Sequence, residues 1–323
     1  MYNLCFDVQV GSGFLGNKVP RSLVQAGLKS KEKSTLRVYF SNFKKWREYA
    51  FLKGESCIPA NEDKLAEFLI EKVNEFSLPS IRQITASVNF FHRLFGFNPP
   101  AGKFLDGLVN EYVLKFSKKP ERKREPILVS HLEAVLNHFC LNRCSLYWLR
   151  SLGILITAFF GFLRYSDFCS LKFEDIAFKE EGVEIAIRKS KTDRFGLGQK
   201  NFFDQGSFPA KFLHVYFKRF DFKSYAGKIS QYVFMSMKRN SCGNCMIFRN
   251  EKMSYSSCSR VVKQLFSEVG IPGKFIKLHS LRIGGATEAS RLGVPDFKIG
   301  LNGRWKSDSS RRLYQRDPGL GRD

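Results

Sequence analysis

The chain has 323 residues, of which 43% are hydrophobic and 33 are phenylalanine, so it can bury the cores of two domains and is not a disordered polyelectrolyte. Its 53 Lys and Arg residues against 30 Asp and Glu residues give a formal net charge of +23, which favours a polyanionic partner. The longest apolar run, residues 151–163, is too short to cross a bilayer, so no membrane association is expected.

The excess positive charge is spread unevenly, being small in residues 1–117 and large in residues 118–323. A basic surface that serves only solubility is one interpretation of such a charge. Contacts with nucleic-acid phosphates are the other, because they would release counterions and make binding sensitive to salt. The candidate phosphate contacts outside the motifs below are Lys44, Lys45, Arg47, Lys118, Arg122, Lys189 and Arg194.

The first part of the chain changes character near residue 31. Residues 1–30 contain scattered glycines and Pro20 without a clear period, which predicts a loose N-terminal arm. Residues 31–117 contain four segments with apolar residues at helical spacing, which predicts a small helical bundle. The predicted helices are one capped by Ser34 and ending at Phe51, one capped by Asn61, one from Pro79 to Phe95, and one from Phe104 to Phe116.

Residues 118–126 contain two prolines and five basic residues, which predicts an exposed linker between two domains. In the second domain, residues 127–323, a run from Leu146 to Phe162 predicts a buried helix. Residues 183–187 alternate in polarity and residues 201–203 can pair with them, which predicts a β-hairpin. The fold class predicted for the whole chain is therefore mainly α with a small β-sheet.

Cysteine usage gives little support for a metal site. The chain has eight cysteines, and Cys242 and Cys245 form its only CxxC pair. No second pair has the spacing of zinc ligands. The other cysteines stand among apolar neighbours, as buried thiols do, so a reducing compartment and no bound metal are expected.

Several residues in the second domain have side chains suited to phosphate chemistry. Arg164 ends the buried helix and Asp167 follows it, while Lys191 lies at the tip of the hairpin. Guanidinium groups bind two phosphate oxygens at once, and an ammonium can donate a proton. The remaining motif residues are the His279-x-x-Arg282 pair, Trp305 as an N–H donor, and Tyr314 as a phenol close to the carboxyl terminus.

In this order and spacing, the motifs resemble those of the tyrosine recombinase, or phage integrase, family. The resemblance is weak over the bundle and strong from about Glu125 to Asp317, and it is closest to the eukaryotic retroelement (DIRS-like) and Crypton-type recombinases. It implies an N-terminal core-binding bundle followed by a catalytic domain. The catalytic residues that it implies are Arg164, Lys191, His279, Arg282, Trp305 and Tyr314, with Asp167 supporting them and Lys189 as the alternative to Lys191.

The family's reaction implies that Tyr314 attacks a DNA phosphate and forms a 3′-phosphotyrosyl bond, without metal or ATP, because arginines carry the electrostatic role. His279 either steadies the phosphate or accepts the phenolic proton, and Lys191 protonates the leaving 5′ oxygen. The implied partner is double-stranded DNA, bound by a homotetramer. The implied location is intracellular, in the nucleus of a eukaryote or in the cytoplasm or nucleoid otherwise.

Two other functions share these residues. A catalytically silent DNA-binding protein of the same fold would not need the phenol of Tyr314. An enzyme that relaxes supercoils in the manner of a type IB topoisomerase would use the phenol but would act as a monomer without a preferred site.

Overall fold

The computed structural model describes residues 19–100, 102, 107, 111–112, 115–116, 126–139, 145–188, 198–220, 231–239, 246–274, 276–305 and 307–315. The chain divides into two compact units, Met1–Arg122 and Lys123–Asp323. This division falls within the segment 118–126 predicted as a linker. Five residues predicted to act on DNA lie outside the described ranges, namely Lys118, Arg122, Lys189, Lys191 and Arg194.

The first unit is helical throughout its described elements. Its helices are α1 (Arg21–Lys29), α2 (Lys33–Leu52), α3 (Glu62–Glu71) and α4 (Leu78–Leu94), with a 3₁₀ turn at Lys72–Asn74. The prediction of a loose arm over residues 1–30 is wrong for α1. Val24 and Leu28 lie one helical turn apart and are buried in the bundle core, which anchors this helix.

Helix boundaries in the bundle follow the local capping groups only in part. Asn61 caps α3 as predicted, and its side chain accepts hydrogen bonds from the backbone N–H groups of Asp63 and Lys64. Helix α2 instead begins at Lys33, so the prediction that Ser34 is its cap is wrong. Of the fourth predicted helix, residues 107, 111–112 and 115–116 are described, and they are helical.

Aromatic residues fill the centre of the bundle. Trp46 is completely buried, and its ring centroid lies 5.6 Å from that of Phe68. Its indole N–H donates to the carbonyl of Cys57 at 3.0 Å, so the one polar atom of this ring has a partner. Phe91 packs against Phe43 at 4.6 Å and joins α4 to α2.

The second unit is mainly helical with two small antiparallel sheets, as predicted for the fold class. One sheet has the order β1-β2-β3 and the other pairs β4 with β5. Its helices are α5 (Val129–His138), α6 (Leu146–Phe160), α7 (Tyr165–Phe168), α8 (Phe208–Phe220), α9 (Tyr255–Ser267), α10 (Leu278–Arg291), α11 (Asp296–Gly303) and α12 (Asp308–Arg312), with a 3₁₀ turn at Phe173–Asp175. Its strands are β1 (Ile176–Lys179), β2 (Gly182–Ile187), β3 (Gln199–Asp204), β4 (Met235–Arg239) and β5 (Met246–Lys252).

The predicted hairpin is formed by β2 and β3, with Ile185 opposite Asn201 and Val183 opposite Phe203. Strand β1 adds to the other edge of β2, and neither it nor the β4–β5 sheet was predicted. In the register of the hairpin, Ile187 pairs with Gln199. The connection between these two residues contains the candidate lysines 189 and 191.

Helix α6 is the central element of the second unit. Every residue from Leu149 to Phe159 is buried, so the sequence-based prediction of a buried helix is confirmed. Helix α10 packs closely against α6 at Gly285, where no side chain separates the two backbones. A Cβ at Gly285 would lie 2.1 Å from the carbonyl oxygen of Phe159, and one at Gly284 would lie 2.1 Å from that of Ile127.

Within the described ranges, every helix is too short or too polar to span a lipid bilayer.

His92 lies in the bundle core with both of its ring nitrogens in hydrogen-bond contacts. It is completely buried, its Nε2 accepts from the N–H of Ala60 at 2.8 Å, and its Nδ1 lies 2.8 Å from the carbonyl oxygen of Val88. Both contacts suit a neutral ring, because Nδ1–H donates while Nε2 accepts. Burial lowers the pKa of His92 below its ordinary value of 6.5, although the Val88 contact opposes that shift.

We expect the bundle to lose stability as the pH falls below 6.5, because the unfolded chain then binds a proton that the folded chain excludes. The loss continues down to the folded-state pKa, at no more than about 1.4 kcal/mol per pH unit. Urea unfolding at several pH values, monitored by hydrogen exchange of the α4 peptide, measures this loss of unfolding free energy. The His92→Gln variant should be less stable than the wild type at neutral pH, but its free energy of unfolding should change less with pH. Equal pH dependence of the variant and the wild type would show that His92 does not couple stability to pH.

We expect Gly285→Ala to destabilise the second unit by about 1–3 kcal/mol, because its methyl group must push α10 away from α6. Thermal unfolding of the full chain measures the loss. Gly206→Ala is the matched control, because a Cβ there meets nothing within 4 Å. Equal stability of the two variants would show that the close approach of the helices is not needed.

Candidate active site

The first arginine of the site, Arg164, lies in the turn between α6 and α7. Phe162 adopts a left-handed backbone with φ 47°, which turns the chain sharply between α6 and α7. Arg164 is the residue before α7, and its backbone N–H donates to the carboxylate of Asp167 at 3.0 Å. Asp167 is buried, so this local cap holds both residues of the predicted motif in one turn.

His279 and Arg282 lie one turn apart on α10 and therefore face the same side. Arg282 is completely buried, and two of its nitrogens donate to the backbone carbonyls of Phe162 and Gly303. A guanidinium has five N–H donors, so three remain for other partners. The sequence predicts a phosphate-binding fork at this position, whereas the structure also uses the arginine to join two backbone segments.

Tyr314 lies just beyond α12, whose N-cap Ser307 accepts from the N–H of Ser310. Its hydroxyl is 3.1 Å from Nε2 of His279. The hydroxyl of Thr287 donates to the Tyr314 carbonyl at 3.0 Å. Tyr314 is therefore fixed to α10 through both its side chain and its backbone.

Trp305 fills the space between these groups. Its ring centroid lies 4.8 Å from that of Tyr314, and the Arg282 guanidinium carbon lies 4.4 Å from the Trp305 ring and 5.2 Å from the Tyr314 ring. A cation over an aromatic face is attracted by the electrons of the ring. The two rings thus cover Arg282, and Trp305 is not a distant core aromatic.

Positive charge dominates the site. Burial, and then the nearby Arg164 and Arg304, lower the pKa of Arg282 to about 9. Burial also lowers the pKa of Arg304, and Asp167 opposes this shift. Among the described residues, the buried donor atoms of the site that have no hydrogen-bond partner include Nη1 of Arg164, Nε of Arg282 and Nε1 of Trp305. Such donors are costly to bury unless an acceptor can reach them.

The structure thus brings together six of the predicted site residues and adds two that sequence reasoning missed. The six are Arg164, Asp167, His279, Arg282, Trp305 and Tyr314, whereas Lys191 lies outside the described residues. The missed residues are Arg304, which forms an ion pair with Asp167 at 2.9 Å, and Asn201, which accepts from Arg304 at 2.9 Å. Nothing in their spacing signals this contact, which depends on the tertiary fold.

The cations predicted on the bundle lie on α2, where Lys44 is exposed and Lys45 is partly buried. Lys44 is 65% exposed at its side chain and lies 3.6 Å from Glu48, whereas the ammonium of Lys45 lies 4.6 Å from the Phe76 ring. Arg47 is half-buried. A groove of about 440 Å³, which sequence reasoning missed, has a basic and aromatic lining that includes Lys31, Tyr39, Arg82, Asn89, Phe90 and Arg93.

Similar proteins are found both by sequence and by fold. A curated relative described as an integrase/recombinase xerD homolog, from Selenomonas ruminantium, is 24% identical over 296 residues, covering 88% of this chain and 82% of the relative. A lambda integrase tetramer bound to a Holliday junction matches with a TM-score of 0.56 and 18% identity, over 94% of this chain and 78% of that one.

The XerH site-specific recombinase, solved on a palindromic difH substrate in a post-cleavage complex, matches with a TM-score of 0.63 and 12% identity, over 90% of this chain and 79% of that one. At these identities the two structures show a common fold. The family model described as "Phage integrase family" matches residues 130–318, which is more than half of the chain and contains the whole candidate site. The chain therefore belongs to the phage integrase family, and it is a tyrosine recombinase.

Proposed function

We propose that this recombinase exchanges DNA strands at specific sites through a 3′-phosphotyrosyl bond to Tyr314. The observation that carries the proposal is the group of unpaired, buried donors on Arg164, Arg282 and Trp305, gathered beside a phenol that contacts His279 at 3.1 Å. A phosphodiester has two non-bridging oxygens that accept hydrogen bonds and carry negative charge. Such a group satisfies the donors and the charge together.

In the proposed reaction, the Tyr314 oxygen bonds to phosphorus as its proton passes to Nε2 of His279. A phenol is largely protonated at neutral pH, so this base is needed at the moment of attack. The cation of Arg282, 5.2 Å from the phenol ring, stabilises the developing phenolate. Geometry therefore favours proton transfer as the role of His279 over phosphate binding alone.

The bond from phosphorus to the 5′ oxygen breaks, and that oxygen leaves with the electron pair. Lys191 supplies its proton, since the lysine lies in the connection between β2 and β3, the position of the family's catalytic hairpin. The phosphodiester energy stays in the phosphotyrosyl bond. A 5′ hydroxyl of a second duplex then attacks it and restores DNA without ATP.

The arginines and Trp305 meet the electrostatic demand of this reaction with the protein's own groups. Negative charge builds on the non-bridging oxygens in the transition state, where fixed cations and N–H donors bind them more strongly than in the ground state. Arg164 and Trp305 are only partly buried and supply direct donors. Arg282 is completely buried beside the two aromatic rings, and it supplies charge together with its unpaired Nε–H.

Double-stranded DNA is the proposed partner of both units. The bundle offers cations and ring faces to a phosphate backbone. These groups are Lys44, Lys45 and Arg47 on α2 and the groove bordered by Lys31 and Arg93. Lambda integrase was solved as a tetramer on a Holliday junction. By likeness to it, four copies of this chain would exchange the four strands of two duplexes, in the nucleus of a eukaryote or on the nucleoid of a prokaryote.

We expect Tyr314→Phe to bind DNA with unchanged affinity but to form no covalent adduct. Incubation with a nicked duplex that traps the intermediate, followed by denaturing electrophoresis and peptide mapping, tests this. Tyr255→Phe is the matched control, because Tyr255 is a half-exposed tyrosine of the same unit. An adduct of normal yield on the Tyr314→Phe protein would remove Tyr314 from the reaction and would favour the silent DNA-binding protein.

Trp305 offers a second test, because its unpaired indole N–H is proposed to bind the phosphate. We expect Trp305→Phe to slow single-turnover cleavage by about ten- to a hundredfold, whereas Trp305→His, which keeps an N–H donor, loses less. DNA affinity should change little in either variant. Equal losses in the two variants would show that ring packing, not hydrogen bonding, is what the reaction needs from this residue.

A further inference from the structure

The segment that carries Tyr314 has little apolar anchoring. Residues 307–315 form the cap of α12, the five residues of that helix and the turn after it. A helix of this length is not stable by itself in water. Within this segment, all of which is described, Arg311 is the one buried residue, whereas Leu313 is 69% exposed. The segment is therefore attached to the rest of the unit mainly through polar contacts and through the phenol itself.

Two of these polar contacts lie on either side of Tyr314 and converge on Asp296, the first residue of α11. Before the tyrosine, Nη1 of Arg311 forms an ion pair with Oδ2 of Asp296. After it, Nε2 of Gln315 donates to Oδ1 of Asp296 at 2.9 Å, with a longer contact of 3.5 Å to Oγ of Ser290. Each oxygen of one carboxylate thus binds one of the two flanking side chains.

The charges explain why this carboxylate holds the segment. The pKa of Asp296 is lowered below its ordinary value of 3.8, first by Arg311 and next by Gln315, so the group is ionised at neutral pH. The Asp296 side chain is 63% exposed, whereas that of Arg311 is 5% exposed. A buried guanidinium that loses its carboxylate keeps an uncompensated charge. Loss of Asp296 therefore favours a movement of Arg311 toward water, and the adjoining turn moves with it.

The contacts that Tyr314 makes itself do not replace this attachment. The Thr287 hydroxyl donates to the Tyr314 carbonyl at 3.0 Å, and the phenol oxygen lies 3.1 Å from Nε2 of His279. One backbone bond leaves the chain free to rotate about it, and the contact with His279 requires that the backbone already brings the phenol to α10. Asp296 supplies two further points of attachment, which fix the direction of the turn.

We propose that Asp296 is a positioning residue that sets the place of the Tyr314 phenol by holding the chain on both sides of it. Its carboxylate acts through Arg311 and Gln315 and takes no part in the bond changes. This inference rests on the proposed function, in which the Tyr314 oxygen attacks phosphorus. A displacement of about 1 Å from the productive geometry is enough to slow such a step about a hundredfold.

The experiment uses the full chain and four single variants. Asp296→Asn is nearly isosteric but loses the charge and one acceptor, and Asp296→Glu keeps the carboxylate. Gln315→Ala removes the second anchor alone. Asp308→Asn is the matched control, because Asp308 also pairs with Arg311, at 3.3 Å, and its side chain is 80% exposed. It removes the same charge and leaves both contacts of Asp296 in place.

Three quantities are measured for each protein, namely single-turnover cleavage of a nicked duplex at saturating DNA, DNA affinity, and hydrogen exchange of the DNA-free chain. We expect Asp296→Asn to cleave about ten- to a hundredfold more slowly, with the DNA affinity of the Asp308→Asn control. Its peptide 307–315 should exchange faster, while the peptides of α6 and α10 keep wild-type exchange. Gln315→Ala should lose less, Asp296→Glu should recover most of the rate, and Asp308→Asn should cleave like the wild type.

Wild-type cleavage by Asp296→Asn, or an equal loss in Asp308→Asn, would overturn the inference. Faster exchange in α6 and α10 as well would show a role in general stability instead. If the wild type forms no adduct on Tyr314, the proposed function fails, whereas unchanged exchange of peptide 307–315 in Asp296→Asn contradicts the positioning role alone. Should Asp296→Asn fail to fold, Gln315→Ala decides, because normal cleavage and normal exchange in that variant would also overturn the inference.

Discussion

Three guanidinium groups lie close to one carboxylate in the buried interior of the second unit. The organisation of this unit depends on how it accommodates that excess of positive charge. Arg282 and Arg304 are buried and Arg164 is partly buried, while Asp167 is the acid that pairs with Arg304. Like charges in a low-dielectric interior repel strongly. The protein holds them together with backbone carbonyls, aromatic faces and one ion pair, and leaves some donors without a partner among the described residues. In the proposed function, a phosphate would satisfy these donors.

Such a site has to be rigid, because a flexible one would separate its charges when DNA is absent. Rigidity comes from close backbone contacts, such as those of α10 with α6 at Gly285 and with Ile127 at Gly284. It also comes from two left-handed residues, Phe162 and Arg304, which are the non-glycine residues of positive φ in the described chain. They meet through the bond from Arg304 to the Phe162 carbonyl. Backbone strain is thus concentrated where the reacting groups are held, as is common at functional sites.

Sequence reasoning predicted what depends on local interactions. Asn61 was recognisable as a cap because a cap binds N–H groups within one turn, and alternation was sufficient to predict the β2–β3 hairpin. The two-unit organisation followed from the composition of residues 118–126, whereas the clustering of the candidate catalytic motifs followed from the family resemblance. Helix α1 was missed because scattered glycines before it suggested an arm.

Tertiary interactions were beyond that reasoning. The HxxR pattern predicts Arg282 but not that two of its nitrogens bind the carbonyls of Phe162 and Gly303, which come from distant parts of the chain. Arg304 could not be predicted because propensity disfavours arginine in a left-handed turn, and only its buried partners stabilise it there. The β4–β5 sheet likewise depends on the packing around it, and short strands with exposed residues carry a weak sequence signal.

The contact between Tyr314 and His279 joins two residues of one polypeptide. In the reaction proposed above, a subunit therefore brings its own phenol to the phosphate that it binds and needs none from a neighbour. Assembly of several copies then would not be needed to deliver the phenol. In that reaction, control over which strands are cut would act by restraining a phenol that is already in place, and not by recruiting one from another subunit.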